Sequence, residues 1–312
     1  MAKNTKKWLW MTGSTVGAII IGTSVYAYSL YNSAQTAVNN MYEEPTREVS
    51  EKRIDKIEYQ EKDPISFLIL GVDERENDRG RSDTMVVMTV NPEKKSMQMV
   101  SIPRDTRTEI VGKGIQDKIN HAYAFGGTDM AVATVENFLD IPIDHYIKVN
   151  MESFQEIVNA VGGVKVNNTF AFDYDGVSYP KGEIELNGEE ALKYSRMRYD
   201  DPNGDFGRQD RQRQIIMGVI EKGASLSSLG KYKDLLAILG ENMKTDLTFD
   251  QIIEIQANYK EARHNLEQFQ VAGTGTKINK IYYLSVPEDE RIALSQKLKD
   301  HLNLNQVAQA TH

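Results

Sequence analysis

An uncharged run of 24 residues near the start of the chain, Trp8 to Tyr31, limits what this chain can fold into. A helix needs about 20 mostly apolar residues to cross the hydrocarbon core of a bilayer. Trp8 and Trp10 lie at one end of the run and three tyrosines at the other, as in helices with aromatic side chains at both membrane interfaces. The run therefore predicts one membrane-spanning helix over residues 8–31.

Three lysines before this run, Lys3, Lys6 and Lys7, predict its orientation. Basic residues accumulate on the cytoplasmic side, so residues 1–7 are expected inside the cell and the long C-terminal part outside. The alternative is a secretory signal peptide cleaved after Ala27. The run is longer than the usual signal-peptide core of about 7–15 residues, which favours a retained anchor and a single-pass type II protein of the cell membrane.

A strongly charged segment, residues 43–63, follows the predicted anchor, with 13 charged residues among its 21. Such a composition cannot bury a core of its own. We therefore predict a stalk that holds the body just off the membrane, with some helix around Val49 to Tyr59. The globular body would then cover residues 64–304.

Apolar patterns in the body predict an α/β fold with a central mixed sheet. Ile65 to Val72 is a continuous apolar run, as in a strand buried on both faces. Thr84 to Val90 and Ser96 to Ile102 are joined by a turn-rich linker and predict a hairpin beside that strand. Helical patterns follow in irregular alternation with strands, so helices are expected to cover the sheet.

Composition excludes several classes of function. The chain has 37 basic and 45 acidic residues, whereas general nucleic-acid binding needs a broad basic surface. It has no cysteine, so disulfides, thiolate zinc sites and thiol nucleophiles are impossible. The motifs of serine hydrolases, zinc proteases and P-loop NTPases are absent. The histidines are scattered; His121 could be catalytic, but a lone histidine in a predicted loop is more often structural.

A dense cluster of arginines and aspartates, Tyr194 to Gln214, is the first candidate site. It holds five arginines and four aspartates around a Pro-Asn-Gly turn. A guanidinium donates two parallel hydrogen bonds and keeps its charge, which suits phosphate oxygens. On a helix, Arg208, Arg211 and Gln212 would share one face. The cluster predicts a polyanion site, although a solvated surface of paired charges has the same composition.

Two aspartates flank the connection between the first two predicted strands. A tight connection would bring Asp73 and Asp83 to one sheet edge, where two carboxylates, water and phosphate oxygens suit Mg²⁺. Loop aspartates also cap turns, and these residues alone leave both interpretations open. Three basic residues lie in nearby loops and strand ends: Arg81, Arg104 and Lys118, the last in a predicted loop over residues 117–127.

Several separate motifs together resemble one family. GVDER and GRSDTM surround the two aspartates, and SIPRDT, DKINHAYAFGG, FQEIVNAVGGV and YSRMR with DFGRQDRQRQ follow in order. From about Pro64 to Val219, their order and spacing are similar to those of the LytR-CpsA-Psr family of cell-wall ligases, above all its members that attach wall teichoic acid to peptidoglycan. The predicted anchor and stalk match the family's layout, whereas the chain after about Gly223 matches only loosely.

The resemblance implies a sheet between helices, with a hydrophobic groove for a polyprenyl tail and a polar mouth for the lipid pyrophosphate. Asp73 and Asp83 match the family's Mg²⁺ ligands, with Mn²⁺ as the alternative ion, and Asp205 matches an acidic position of the site. The family's pyrophosphate-binding positions are matched by Arg81, Arg104, Lys118, Arg196, Arg198, Arg208 and Gln212. The residues implied in catalysis are Asp73, Asp83, Arg81, Arg104, Arg196, Arg198 and Asp205.

The implied reaction joins a glycopolymer to peptidoglycan. A muramic-acid hydroxyl attacks the sugar-side phosphorus of an undecaprenyl-pyrophosphate-linked polymer, and undecaprenyl phosphate leaves. Arginines and the metal ion would neutralise charge on the breaking pyrophosphate. Asp83 or Asp205 could be the general base, although a metal-bound aspartate is a poor base. The alternatives are a membrane-anchored lipid pyrophosphatase and a non-catalytic, lipid-pyrophosphate-binding regulator of wall synthesis.

Overall fold

The structure is a computed structural model that describes residues 28–47, 49–74, 80–151, 153–224 and 229–305. The predicted segment 1–7 and residues 8–27 of the predicted membrane helix lie outside these ranges. Residues 28–41 form the first described helix, α1. In the described part of the chain, no helix is both long and apolar enough to span a bilayer.

A six-stranded mixed sheet forms the centre of the fold. Its strands are β1 (Ile65–Val72), β2 (Ser82–Asn91), β3 (Ser96–Ser101), β6 (His145–Asn150), β11 (Met243–Thr245) and β12 (Leu266–Gln270). They lie in the order β11-β6-β1-β2-β3-β12. β1, β2 and β3 pair antiparallel, whereas β6 runs parallel to β1 and β12 parallel to β3. The predicted mixed sheet, buried first strand and hairpin are confirmed.

Two-stranded ribbons and helices surround the sheet. The ribbons are β4 (Arg107–Ile110) with β5 (Ile115–Lys118), β7 (Val164–Asn168) with β10 (Gly182–Leu186), β8 (Phe172–Tyr174) with β9 (Val177–Tyr179), and β13 (Thr274–Ile278) with β14 (Ile281–Ser285). The helices are α2 (His121–Leu139), α3 (Phe154–Ala160), α4 (Gly188–Arg196), α5 (Asp205–Ala224), α6 (Leu229–Asn242), α7 (Phe249–Asn258) and α8 (Glu288–His301), with a 3-10 helix at Lys260–His264.

Helices cover both faces of the sheet, which explains why β1 is apolar throughout. Successive side chains of a strand point to opposite faces. Leu68 and Leu70 pack with residues of α2 and α8, whereas Ile65 and Phe67 pack with residues of α5 and α7 on the other face. A separate apolar cluster, which includes Tyr194, joins α4 and α5 to the ribbon β7–β10.

The predicted loop over residues 117–127 is wrong. Its first residues belong to β5, and α2 begins at His121. Gly127 alone interrupts this helix, with φ 68° and ψ −152°, a conformation that glycine adopts readily. The helix start matters for function, because it places His121 on a regular element instead of a flexible connection.

The charged segment 43–63 lies against the body. Arg53 donates to both carboxylate oxygens of Asp144 at 2.7 Å, and both side chains are almost buried. The Tyr59 hydroxyl lies 2.6 Å from His145 Nε2. The described residues 49–63 form turns, so the helix predicted around Val49 to Tyr59 is wrong. Ion pairs and hydrogen bonds to the body hold this segment, which its composition alone does not reveal.

Candidate functional site

The end of β1, the start of β2 and the end of β3 meet at one edge of the sheet. There Val72 pairs with Ser82 while Gly71 pairs with Thr84, so Asp83 is the extra residue of a β-bulge. A bulge bends the strand and changes the direction of its side chain. The Asp83 side chain is 44% exposed in a strand whose other residues are buried.

A polar cavity of about 510 Å³ opens at this edge. Five of the predicted site residues line it: Asp73, Arg81, Asp83, Arg104 and Lys118. They come from the ends of β1, β2, β3 and β5, as expected if the strand ends meet. The structure thus brings the two proposed metal ligands and three of the proposed pyrophosphate ligands into one space.

Alternating charges connect the walls of this polar cavity. Arg104 Nη1 donates a 2.8 Å hydrogen bond to Asp83 Oδ2, and Asn120 Nδ2 lies 3.3 Å from Asp83 Oδ1. On the other side, Arg104 Nε lies 3.9 Å from Asp105, which accepts a hydrogen bond from Lys118. The carboxylates hold the cations in place, and the Arg104 side chain, 27% exposed, remains accessible to an anion.

A second group lies where α5 begins. Arg208 Nη2 is 2.6 Å from Asp205 Oδ1, and Arg198 Nε is 3.8 Å from the same oxygen. Arg208 Nε is buried and has no hydrogen-bond acceptor among the residues that the structure describes. Burial lowers the pKa of Arg208 from its usual value, Asp205 opposes this, and the charges of Arg104 and Asp83 also act on it. The second group is therefore close to the polar cavity.

Two predicted ligands, Arg196 and Gln212, lie apart from these ion pairs. Arg196 is the last residue of α4 and is exposed. Gln212 lines an apolar cavity of about 60 Å³, which also touches Thr84, the neighbour of Asp83. This cavity is too small for a polyprenyl tail. Met151 is one of the side chains that line this cavity beside β1, and the groove implied by the resemblance stays a prediction.

Two arginines of the Tyr194–Gln214 cluster serve the fold. Arg211 is buried, pairs with Asp201 and donates through Nε to the Tyr194 carbonyl at 2.9 Å. Arg213 is buried as well. Arg208 and Arg211 lie three residues apart on the helix α5, as predicted, but they have different partners: Arg208 meets Asp205 at the site, whereas Arg211 is buried and pairs with Asp201.

Sequence reasoning set aside one pair that lies at the site. His121 lines the polar cavity, and its Nδ1 lies 2.7 Å from Asp117 Oδ2. Burial alone would raise the pKa of Asp117, but hydrogen bonds from His121 and the Lys118 backbone hold it below its usual value. Helical spacing could not have revealed this pair, because Asp117 lies in β5 and His121 begins α2.

Comparison with known sequences gives a family and a close relative. The model of the LytR_cpsA_psr family matches residues 25–300. A Bacillus subtilis (strain 168) protein named polyisoprenyl-teichoic acid–peptidoglycan teichoic acid transferase TagU is 53% identical over 301 residues, which cover 96% of this chain and 98% of the relative. The similarity to this relative therefore extends over the C-terminal third of the chain, where the family motifs match only loosely.

Solved structures show the same architecture. The crystal structure of B. subtilis TagU superposes with a TM-score of 0.65 at 53% identity and covers 77% of this chain and 97% of that chain. The family protein YwtF (TagT), with bound octaprenyl pyrophosphate lipid, superposes with a TM-score of 0.67 at 30% identity over 83% of this chain and 98% of that chain.

Proposed function

The chain belongs to the LytR-CpsA-Psr family, and we propose that it is a transferase that links wall teichoic acid, or a related anionic glycopolymer, to peptidoglycan. The donor is the polymer on an undecaprenyl-pyrophosphate carrier, and the acceptor is a muramic-acid hydroxyl. Undecaprenyl phosphate is released. The name of the relative TagU states a transfer of this kind, and TagT carries a polyprenyl pyrophosphate.

The observation that carries this proposal is the convergence of cations from separate elements at one edge of the sheet. Arg104 follows β3, Lys118 ends β5, and Arg208 lies in the first turn of α5. A pyrophosphate offers oxygens on two adjacent phosphates, so several fixed donors can bind it at once. A buried N–H without an acceptor is unfavourable, and Arg208 Nε would gain one from a phosphate oxygen.

We propose that Asp73 and Asp83 hold Mg²⁺, with Mn²⁺ as the alternative ion. Their oxygens suit a hard cation, and Mg²⁺ usually takes one or two carboxylates, several waters and substrate phosphate oxygens. In the described part of the chain, no group of three or more His, Cys, Asp or Glu side chains is arranged to hold a metal ion. The proposed site therefore has two carboxylates, the number that Mg²⁺ usually takes. When bound, the ion would neutralise charge on the pyrophosphate.

The polyprenyl tail is proposed to enter the fold at the apolar cavity beside Gln212. This cavity lies between β1 and α5, and it shares the strand β2 with the polar cavity through Thr84 and Asp83. With the tail in this cavity, the pyrophosphate at its end would lie next to Arg104. Met151 would have to move, because its sulphur now lies close to Gly71.

We propose that residues 8–31 anchor the protein in the cell membrane as a single-pass type II protein, with residues 64–304 outside. The support is the uncharged run and the lysines before it. A protease added to intact protoplasts should digest the body and leave a short membrane fragment. A fully protected body would contradict this orientation.

The function is tested with the full-length protein in detergent micelles, a lipid-pyrophosphate-linked glycopolymer, nascent peptidoglycan and Mg²⁺. Transfer should raise the mass of muramic-acid-containing fragments by that of the phosphorylated polymer. Release of free polymer phosphate with unmodified peptidoglycan would identify a pyrophosphatase. Binding of the lipid without turnover would identify a regulator.

A further inference from the structure

His121 occupies a position from which it can act on a ligand in the polar cavity. It is the first residue of α2, and its side chain, 22% exposed, lines the cavity together with Asp83 and Lys118. Phe125, one helical turn later, packs edge-on against the imidazole at 6.0 Å between ring centroids. A regular helix and an aromatic neighbour thus restrict the ring.

Asp117 determines which nitrogen of His121 faces the cavity. The carboxylate lies 2.7 Å from Nδ1, so in the neutral ring Nδ1 carries the proton and Nε2 keeps its lone pair. Among the described residues no side chain bonds to Nε2. The arrangement of an aspartate behind a histidine is the one that orients the base in hydrolytic triads.

Asp117 is itself fixed and charged. Its Oδ1 accepts a hydrogen bond from the Lys118 backbone N–H at 2.8 Å and lies 3.3 Å from the Tyr283 hydroxyl, while Oδ2 meets His121. A carboxylate with several donors stays ionised. An ionised partner at Nδ1 stabilises the positive charge that the ring acquires when Nε2 takes a proton.

The carboxylates of the site are poorly placed for this task. Asp83 accepts from Arg104, and Asp205 meets both Arg198 and Arg208. The Asp83 lone pair that receives the guanidinium proton of Arg104 is less available for another proton, and Asp205 is not among the residues that line the polar cavity. Asp83 is in addition a proposed metal ligand. The imidazole Nε2 is a basic acceptor at this cavity that no described side chain occupies.

From this geometry we propose that His121, oriented by Asp117, is the general base of the transfer. The assignment rests on the function proposed above. Nε2 removes the proton from the muramic-acid hydroxyl as its oxygen forms a bond to the sugar-side phosphorus. The bond between that phosphorus and the bridging oxygen breaks, and undecaprenyl phosphate leaves with the electron pair. The imidazolium then releases its proton to solvent or to the departing phosphate.

The first test replaces His121 without removing its structural hydrogen bond. In His121→Asn the amide N–H can still donate to Asp117, so folding and binding of the lipid pyrophosphate should persist. Transfer should fall by about 10²–10⁴-fold, the usual contribution of a general base. Asp117→Asn should also slow transfer, because an amide facing Nδ1 favours the wrong tautomer. His264→Asn, an exposed histidine on the 3-10 helix, is the matched control.

The second test separates a base from a residue that only supports the cavity. His121→Ala should be inactive, and millimolar imidazole added to the full-length protein should restore part of the transfer. Loss of activity without rescue would overturn the assignment and leave His121 a positioning role. Transfer by His121→Asn at the rate of His264→Asn would also overturn it. Absence of transfer by the unaltered protein would instead reject the proposed function, and this role with it.

Discussion

The carboxylate of Asp83 stands on a β-bulge and accepts a 2.8 Å hydrogen bond from Arg104, which follows the end of the neighbouring strand β3. Two adjacent strands therefore set the distance between this carboxylate and this guanidinium. The same carboxylate lines the polar cavity that Asp73 also lines. The Asp83 side chain would thus orient the phosphate-binding guanidinium of Arg104 and bind a metal ion together with Asp73. Its removal should therefore affect catalysis more than folding.

We predict that Asp83→Asn reduces transfer by at least about 10²-fold, comparable to the loss of one electrostatic contact with a transition state. The amide keeps an acceptor for Arg104 but loses the charge that holds the metal. Lipid binding should persist, because each buried CH₂ of the tail contributes about 0.8 kcal/mol. Transfer rates are measured across a Mg²⁺ titration, with the exposed Asp289→Asn as control. Wild-type rates for a folded Asp83→Asn protein would show that the site is misplaced.

Arg208 should contribute more to binding of the lipid pyrophosphate than Arg196. Arg208 is 11% exposed and has a buried Nε without an acceptor in the described residues, whereas Arg196 is exposed. Hydrogen bonds to charged groups are worth about 1.5–3 kcal/mol, so Arg208→Ala should raise the Kd by about 10-fold or more. Arg208→Lys should recover only part of this, since an ammonium cannot make the forked contact. Equal effects of Arg208→Ala and Arg196→Ala on Kd would contradict the prediction.

The sheet edge of the site could be predicted from the sequence because it depends on strand order. The apolar run of β1 and the hairpin after it place Asp73, Asp83 and Arg104 at neighbouring strand ends. The bulge could not be predicted, since it arises from a register shift between Gly71 and Val72 that has no clear mark in the sequence. The resemblance to the family implied a ligand role for Asp83, but only the structure explains how its side chain leaves the buried strand.

Roles inside the arginine cluster could not be separated by spacing. Helical periodicity grouped Arg208 with Arg211, but it does not say which face meets the core. Arg211 is buried because its partner Asp201 lies across the turn before α5, a contact ten residues distant. In the same way, the composition of residues 43–63 suggested a solvated stalk, although long-range partners such as Asp144 bind it to the body.

We predict that Arg211→Ala destabilises the fold by about 3–5 kcal/mol, because it leaves the Asp201 charge buried without its partner. The side chains of this pair are only 4% and 1% exposed. Gly207 packs directly on Asp201, and a Cβ there would lie 2.0 Å from its carboxylate, so Gly207→Ala should disturb the same pair. The free energy of unfolding is measured in denaturant, and Arg196→Ala, at an exposed site, should change it little. Similar losses for both arginines would be inconsistent with this role.

The charged segment 43–63 should stabilise the body through Arg53. This arginine and Asp144 are 10% and 5% exposed, so Arg53→Ala leaves a nearly buried carboxylate unpaired, with an expected loss of about 3–5 kcal/mol. Lys52 forms a comparable contact with Asp140, but those side chains are 32% and 47% exposed. Lys52→Ala should therefore cost no more than about 1 kcal/mol. Unfolding of the full-length protein in detergent distinguishes the two, and an unaffected Arg53→Ala variant would mean that the segment is not a structural part of the domain.

Acid should weaken the attachment of α8 to the sheet through His301. Its Nδ1 lies 2.8 Å from the Thr89 hydroxyl and its Nε2 3.0 Å from the Ser96 hydroxyl. Burial, with a smaller contribution from Lys94, lowers the pKa of His301 to about 4.

In the unfolded chain the pKa of a histidine is about 6.5, so the unfolded state takes up a proton first as the pH falls. The contribution of His301 to stability is therefore complete above pH 6.5 and is lost as the pH falls towards 4, by up to about 3 kcal/mol. The free energy of unfolding is measured at several pH values for the wild type, His301→Asn and the exposed His264→Asn. The advantage of the wild type over His301→Asn should shrink between pH 6.5 and 4. A pH-independent difference from His301→Asn would mean that His301 does not titrate with folding.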